Sequence, residues 1–214
     1  MPNAGIIGLT VDTLTCRRGE HEVFAGLSCG VRPGGVLYLR GPNGAGKSSL
    51  LRILAGFIAP AAGSVGWDGE DVAADPQAHR ARLHYVGHLD TLKPVLTAAE
   101  NLSTQAAMLQ EKAHVDTALR RFGLGNLRDL PARFLSAGQR RRLALARLAA
   151  VPRALWLLDE PTVALDAGSV ERLETLIAEH RAAGGMAVIA THTDMNLPGA
   201  QTLLLEARQR VVAP

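Results

Sequence analysis

The stretch Gly41-Pro42-Asn43-Gly44-Ala45-Gly46-Lys47-Ser48-Ser49 constrains this chain more than any other. It reads G-x-x-x-x-G-K-S, a loop whose backbone can turn its N–H groups inward around phosphate oxygens because the glycines carry no Cβ to block the approach. Before it, Val36-Leu37-Tyr38-Leu39-Arg40 is a short apolar run that reads as a buried strand. After it, Leu50 to Ala55 is apolar at helical spacing, with Gly56 as a stop. Strand, glycine loop and helix N-terminus together form an anion site, and the partial positive charge of the helix end adds to it. Lys47 is placed to reach the β- and γ-phosphates of a nucleotide, and the Ser48 hydroxyl to hold Mg²⁺.

The totals fit one sizeable domain. The chain has 214 residues, 47% hydrophobic and 20% charged, which is the balance of a globular protein with a core. No run of about eighteen apolar residues is present, so no membrane span is expected. The first residues, Met1-Pro2-Asn3-Ala4-Gly5, lack the basic and apolar regions of a secretory signal. Cys16 and Cys29 stand outside any C-x-x-C spacing and read as reduced thiols rather than a metal site or a disulfide. A net charge of +3 with only 4% aromatic residues offers no basic stripe with stacking rings, so no nucleic-acid partner is expected. The densest basic run, Arg140-Arg141-Arg142, reads as a solvated or partner-facing helix surface.

In chain order, Ile7 to Leu14 reads as a strand, and Glu22 to Phe24 and Leu27 to Val31 as two more divided by Ala25-Gly26. These predict a small antiparallel layer. Ser64 to Trp67 is a strand closed by Asp68-Gly69, Pro76 to Arg82 one or two helical turns, and Leu83 to Val86 a strand running into Gly87-His88. From about Leu92 the pattern turns helical. Thr97-Ala98-Ala99-Glu100 is a capping box opening a helix to about Gln110, Val115 to Phe122 a second helix stopped by Gly123, and Ser136-Ala137-Gly138-Gln139 a further capping box opening a helix to about Ala150. Leu155 to Leu158 and Met186 to Ala190 are continuous apolar strands of the kind buried on both faces of a parallel sheet, separated by a helix from Val170 to Ala183. Thr202 to Leu205 and Arg208 to Val212 complete the chain. The helical stretch, about residues 90–150, reads as a subdomain inserted in an α/β core, with hinges near His88 and Pro152, inside a single domain spanning 1–214.

Asp159 ends an apolar strand, the position from which a carboxylate holds Mg²⁺ through water. Glu160 follows it, points elsewhere because strand neighbours alternate, and is placed to polarise a water for in-line attack on a γ-phosphate. The series of P-loop, Leu135-Ser136-Ala137-Gly138-Gln139 ahead of an arginine-rich helix, Leu-Leu-Asp-Glu strand, Ala164-Leu165-Asp166 and strand-end His192 resembles the ATP-binding-cassette (ABC) ATPases over nearly the whole chain. The resemblance implies an α/β fold: a P-loop NTPase ABC nucleotide-binding domain with an antiparallel β subdomain and a helical signature subdomain. It implies that Gly41 to Ser49 hold the phosphates of ATP, that Ser48 and Asp159 serve Mg²⁺, that Glu160 is the catalytic base, and that His192 contacts the γ-phosphate. Asp166 matches the loop linking the two catalytic sites. Ser136, Ala137, Gly138 and Gln139 match the signature that closes on ATP from the opposite subunit of a head-to-tail homodimer.

Three positions depart from that pattern. Ala137 stands where many members have a second glycine, His88 where the family has a glutamine, and Arg18 where an adenine-stacking aromatic is expected before Gly19. An imidazole at His88 can still contact Mg²⁺ or its water, and a guanidinium at Arg18 can stack on a purine. Within the family, Leu14-Thr15-Cys16, Tyr85-Val86-Gly87-His88, Leu92-Lys93-Pro94, Leu96-Thr97-x-x-Glu100-Asn101-Leu102 and Ser-Ala-Gly-Gln-Arg-Arg-Arg-Leu resemble the ATP-binding subunits of cytochrome c biogenesis (haem exporter) systems. That resemblance implies ATP hydrolysis for haem export or release from a haem chaperone, on the cytoplasmic side of a bacterial inner membrane. The implied partners are a separate integral membrane permease subunit (CcmB-like) and other cytochrome c maturation proteins. Alternatives are the motor of another ABC exporter, a soluble ABC protein acting on ribosome or nucleic acid, and a nucleotide-gated module with little hydrolysis. The single cassette without a long coiled-coil insertion disfavours the second, and Glu160 with His192 disfavours the third.

Overall fold

In a computed structural model, which describes residues 8–108 and 113–206, the apolar strands assemble as the middle layer of the molecule. Strands β3 (Val36–Arg40), β6 (Leu83–Val86), β7 (Leu155–Asp159), β8 (Met186–Ala190) and β9 (Gln201–Leu204) form one parallel sheet in the order β6-β7-β8-β3-β9. Alternation explains why β7 and β8 are apolar throughout. Trp156 and Leu158 of β7 with Ala187 and Ile189 of β8 enter the core on one face, while Leu155, Leu157, Met186 and Val188 enter a second core on the other.

The first of those cores is closed by helices α3 (Ala98–Met108), α4 (Val115–Arg121), α5 (Ala137–Ala150) and α6 (Ala167–Ala182). The second is closed by α1 (Lys47–Leu54) and by a four-stranded antiparallel sheet. That sheet runs β2-β1-β4-β5, from β1 (Leu9–Arg18), β2 (His21–Val31), β4 (Ala62–Trp67) and β5 (Glu70–Asp71). A short helix α2 (Pro76–Ala81) precedes β6, with Pro76 in its first turn and Asp75 as its cap. Because the central sheet is parallel, the C-terminal ends of β3, β6, β7 and β8 share one edge. Gly41, Gly87-His88, Asp159-Glu160 and Thr191-His192 therefore meet there.

The antiparallel layer forms as expected but with different bounds. Residues 22–24 and 27–31 are not two strands. They belong to one, β2, which runs through Ala25-Gly26. From the pair Leu14–Leu27 to the pair Cys16–Phe24, β1 advances two residues while β2 spends three, and Gly26 takes φ +63° to absorb the extra residue. A β-bulge with glycine at positive φ thus produces what the sequence pattern presents as a break. The strand expected from Ile7 to Leu14 continues to Arg18, and Ile7 itself lies outside the described residues. The expected end of a helix near Gln110 and the strand Arg208 to Val212 also fall outside them.

Both capping boxes form. Glu100 N–H donates to Thr97 Oγ1 at 3.1 Å and Thr97 N–H to the Glu100 carboxylate at 2.8 Å. Gln139 N–H donates to Ser136 Oγ at 3.2 Å and Ser136 N–H to Gln139 Oε1 at 2.8 Å. Asn101 is buried, and its side chain bonds both backbone groups of Lys93 and the carbonyls of Leu96 and Thr97, so it fixes the loop before α3.

His84, 5% exposed on β6, donates from Nε2 to the Val151 carbonyl at 2.8 Å and so ties the sheet to the end of α5. Burial pushes its pKa from 6.5 down to about 3. Burial lowers His79 and His180 as well. A histidine whose folded value is depressed binds its proton first in the unfolded chain, so stability falls as pH drops below about 6.5. His84→Gln keeps a side-chain donor but does not titrate. Urea unfolding at pH 7 and pH 5 should show this variant losing about 2 kcal/mol less on acidification than the parent. Equal losses would contradict the assignment.

Candidate nucleotide site

The loop between β3 and α1 is hemmed in at two of its glycines, Gly41 and Gly46, where a Cβ would collide with a neighbour. Gly41 has φ +139°, and a Cβ there would stand 2.1 Å from the Leu205 carbonyl oxygen. Gly46 has φ +99°, and a Cβ would stand 2.6 Å from Val23 and 2.9 Å from Phe24, side chains of the antiparallel sheet. Gly46 is also the N-cap of α1, without a side-chain cap or any acid in the first turn. The first N–H groups of α1 are thereby left for an anion. Ala45 is buried in the core beneath the loop, and Ala45 N–H donates to the Pro42 carbonyl at 3.2 Å.

Lys47 is 8% exposed, and its ammonium donates to the carbonyls of Gly41 at 2.6 Å and Pro42 at 3.1 Å. The same ammonium lies 3.2 Å from His192 Nε2, which stands 3.2 Å from Asn43 Oδ1 and 3.6 Å from Glu160 Oε1. His192 N–H donates to Glu160 Oε2 at 3.4 Å. Loop, strand-end carboxylate and strand-end histidine thus form one connected cluster. Asp159 is buried at 4% exposure, at the end of β7. Glu160 adopts φ +48°, an unusual conformation for a residue with a side chain, and its N–H donates to the Ala190 carbonyl at 2.7 Å. Glu160 thus stands in the turn past the end of β7 rather than in the strand, and it lines one cavity together with Asp159.

A cavity of about 530 Å³ opens over the loop. Asn43, Gly44, Gly46, Lys47, Ser48 and Ser49 line it together with Asp159, Glu160, His88 and Arg18. Arg18 donates to Ser49 Oγ at 2.8 Å, which holds its guanidinium over the start of α1. His21, next to the turn that joins β1 and β2, also lines the cavity. In the sequence only its nearness to Gly19 marks it. The signature does not line this cavity. Ser136 and Ala137 are exposed at the start of α5, and a Cβ on Gly138 would come within 3.0 Å of the Ala164 carbonyl oxygen. Asp166 is likewise outside it and caps α6 by accepting from Ser169 N–H at 2.7 Å.

The arginine run behaves differently from the expected surface. Arg141 is 3% exposed and lies under the site. Arg141 shares its face of α5 with the buried Leu145 and Leu148, one and two turns further on. That helical phase was available in the sequence. Arg142 donates to the Phe122 carbonyl at 3.1 Å and Arg140 to the Leu135 carbonyl at 2.6 Å, so these two serve the helix's own surroundings.

Residues 24–163 match the ABC transporter family. The chain is also 58% identical over 196 residues to the cytochrome c biogenesis ATP-binding export protein CcmA of Rhodospirillum rubrum, covering 91% of this chain and 84% of that protein. It belongs to the ABC transporter family. The protein of the same description from Paramagnetospirillum magneticum is 57% identical over 198 residues, covering 90% of this chain and 91% of that one. Among solved structures, the ATP-binding subunit of an ABC transporter superposes with a TM-score of 0.83 at 23% identity, over 94% of this chain and 88% of the other. A dimeric ATP-binding cassette in a post-hydrolysis state bound to ADP and Pi gives 0.81 at 24% identity, over 94% and 97%. The ABC nucleotide-binding fold, with its antiparallel sheet beside a parallel one, is therefore that of this chain.

Removing the ammonium at the centre of the loop should be felt by ATP itself. Lys47→Ala is expected to weaken ATP binding about 10- to 100-fold, the range for a lost hydrogen bond to a charged group. Calorimetric titration measures this, and parent-like affinity would take Lys47 out of the site.

Proposed function

We propose that this chain is the ATPase motor of a membrane ABC complex of cytochrome c biogenesis, hydrolysing ATP for haem export or for release from a haem chaperone. The observation that carries this is identity of 57–58% over about nine-tenths of the chain to export proteins of that description, in a chain whose P-loop, Asp159-Glu160 and His192 converge at one sheet edge. ATP enters with its phosphates over Gly41 to Ser49, against Lys47 and the N-terminus of α1. Glu160 orients a water and accepts its proton as the water oxygen bonds to the γ-phosphorus and the bond to the bridging oxygen of ADP breaks. His192, already beside Glu160 and Lys47, is placed to hold the γ end, and Arg18 to contact the base.

Ser48 and Asp159 offer the hard oxygen donors that Mg²⁺ takes, and His88 lines the same cavity. No trio of acidic, histidine or cysteine side chains able to hold a metal occurs among the described residues, which suits an ion held mainly by phosphates and water. When bound, Mg²⁺ supplies charge neutralisation across the phosphates.

Ser136 to Gln139 lie outside the cavity of their own chain, which supports their contacting ATP in a second copy and hence a head-to-tail homodimer, with Asp166 near the seam. We read residues 1–214 as one ATP-binding domain in which the segment of about 90–150 is a helical subdomain. Its helices α3 to α5 are inserted between β6 and β7, strands that are neighbours in the sheet, and this placement suits a lever. Among the described residues no helix is long and apolar enough to cross a membrane, so the membrane part is assigned to a separate CcmB-like permease acting with other cytochrome c maturation proteins. A groove of about 690 Å³ between α1 and α3, with Phe57, Tyr85, Leu89 and Arg147 in its lining and the exposed Phe57 and Leu89 at its rim, supports such docking. The chain would then sit peripherally on the cytoplasmic face of a bacterial inner membrane.

Purification of the chain from membranes tests the assignment. It should bring down a polytopic cytochrome c maturation subunit, and the complex should turn over ATP. In that complex Glu160→Gln should lower kcat about 100-fold or more while leaving ATP affinity near the parent's. A permease of an unrelated exporter would overturn the pathway, and normal turnover by the variant would overturn the base.

A further inference from the structure

Arg141 is the most enclosed charged side chain near the site, and no step above uses it. Its guanidinium spends its donors on two separate segments. Nη1 donates to the Gly87 carbonyl at 2.9 Å and to Asp90 Oδ1 at 3.1 Å, on the loop that carries His88. Nη2 donates to the carbonyls of Asp159 at 3.2 Å and Glu160 at 2.7 Å, and Nε to that of Pro161 at 3.3 Å. Arg141 itself belongs to α5, the helix opened by Ser136.

Three consecutive carbonyls pointing at one cation is not ordinary strand geometry, because strand carbonyls alternate. The chain reverses here through Glu160 at φ +48°, a conformation that a residue with a side chain keeps only when its surroundings fix it. Three contacts hold its backbone. The Glu160 N–H is held by the Ala190 carbonyl of β8 at 2.7 Å, and its carbonyl accepts from Arg141 at 2.7 Å and, more weakly, from Val163 N–H at 3.3 Å. A planar fork with five N–H donors can satisfy these groups together, whereas a lysine ammonium offers three donors from one point.

We infer that Arg141 is a positioning residue for hydrolysis: it clamps the turn that aims the Glu160 carboxylate and locks that turn to the His88 loop and to the signature helix. The inference rests on Glu160 being the base. Loss of the clamp lets the carboxylate drift while leaving the P-loop, and so ATP binding, intact. Misplacement by about 1 Å is enough to cost about 100-fold in rate.

The test is a double-mutant cycle on the ATPase complex purified from membranes. Arg141→Met should lower kcat about 100-fold and Arg141→Lys about 10-fold, each with half-saturation by ATP within about threefold of the parent. Should Arg141→Met fail to fold, Arg141→Lys, which retains the charge, carries the comparison. The discriminating readout is the effect of Arg141→Lys in a Glu160→Gln background. With the carboxylate gone there is nothing left to aim, and residual turnover should change less than about twofold, because residues acting as a unit are not additive. A purely structural arginine would lower both backgrounds by the same factor, and that result, or parent-like kcat in Arg141→Lys, overturns the inference. Parent-like turnover in Glu160→Gln alone would instead remove the base assignment beneath it, whatever Arg141→Lys does.

Discussion

A backbone N–H can close on a phosphate only where no Cβ intervenes, and in this chain that constraint is met by wedging a glycine loop between fixed walls. Gly41 passes against the Leu205 carbonyl, and Gly46 against Val23 and Phe24 of β2. The antiparallel sheet is therefore part of the site, since it is the surface on which the P-loop is pressed. The parallel sheet supplies the other half of the constraint. Its strands must end together to bring a carboxylate pair and a histidine to the same loop, and they do so because β3, β7 and β8 are neighbours running in one direction.

Elements fixed by local pattern were legible in the sequence. Strands β3, β6 and β8 take the bounds their runs suggest, because the pattern that marks each of them is contained in four or five consecutive residues. The capping boxes at Thr97 and Ser136 were readable for the same reason: their donors and acceptors lie three residues apart. What was not legible depends on a partner distant in the chain. Whether Ala25-Gly26 divides two strands or bulges within one is decided by the register of β1. The burial of Arg141 is decided by carbonyls 18 to 54 residues away. A run of three arginines suggests solvent, and only the helical phase shared with Leu145 and Leu148 points inward. Asn101 belongs to a stretch that carries a sequence resemblance, yet its physical task, holding the loop at Lys93 to Thr97, appears only in the fold.

The cluster at the sheet edge is assembled within one chain, and the signature is not part of it. Lys47, Asn43, Glu160 and His192 already touch or nearly touch, whereas Ser136 and Ala137 stand exposed on a helix that Arg141 ties to the same Asp159-Glu160 turn. Arg141 thus links the residues proposed to hydrolyse ATP in one copy to the helix that would present the signature to ATP in another. Opening and closing of that seam is how a reaction at a sheet edge would reach a membrane partner.

The most direct measurement of this account is the mass of the Glu160→Gln chain by sedimentation velocity, with and without saturating Mg-ATP. Monomer without ATP and dimer with it is the predicted result. Adding Ala137→Glu should return the chain to monomer: an acid in the first turn suits helix α5, yet it would set a negative charge against the phosphates of the other copy. A monomer at saturating ATP, or a dimer indifferent to Ala137→Glu, would contradict a site shared between two copies.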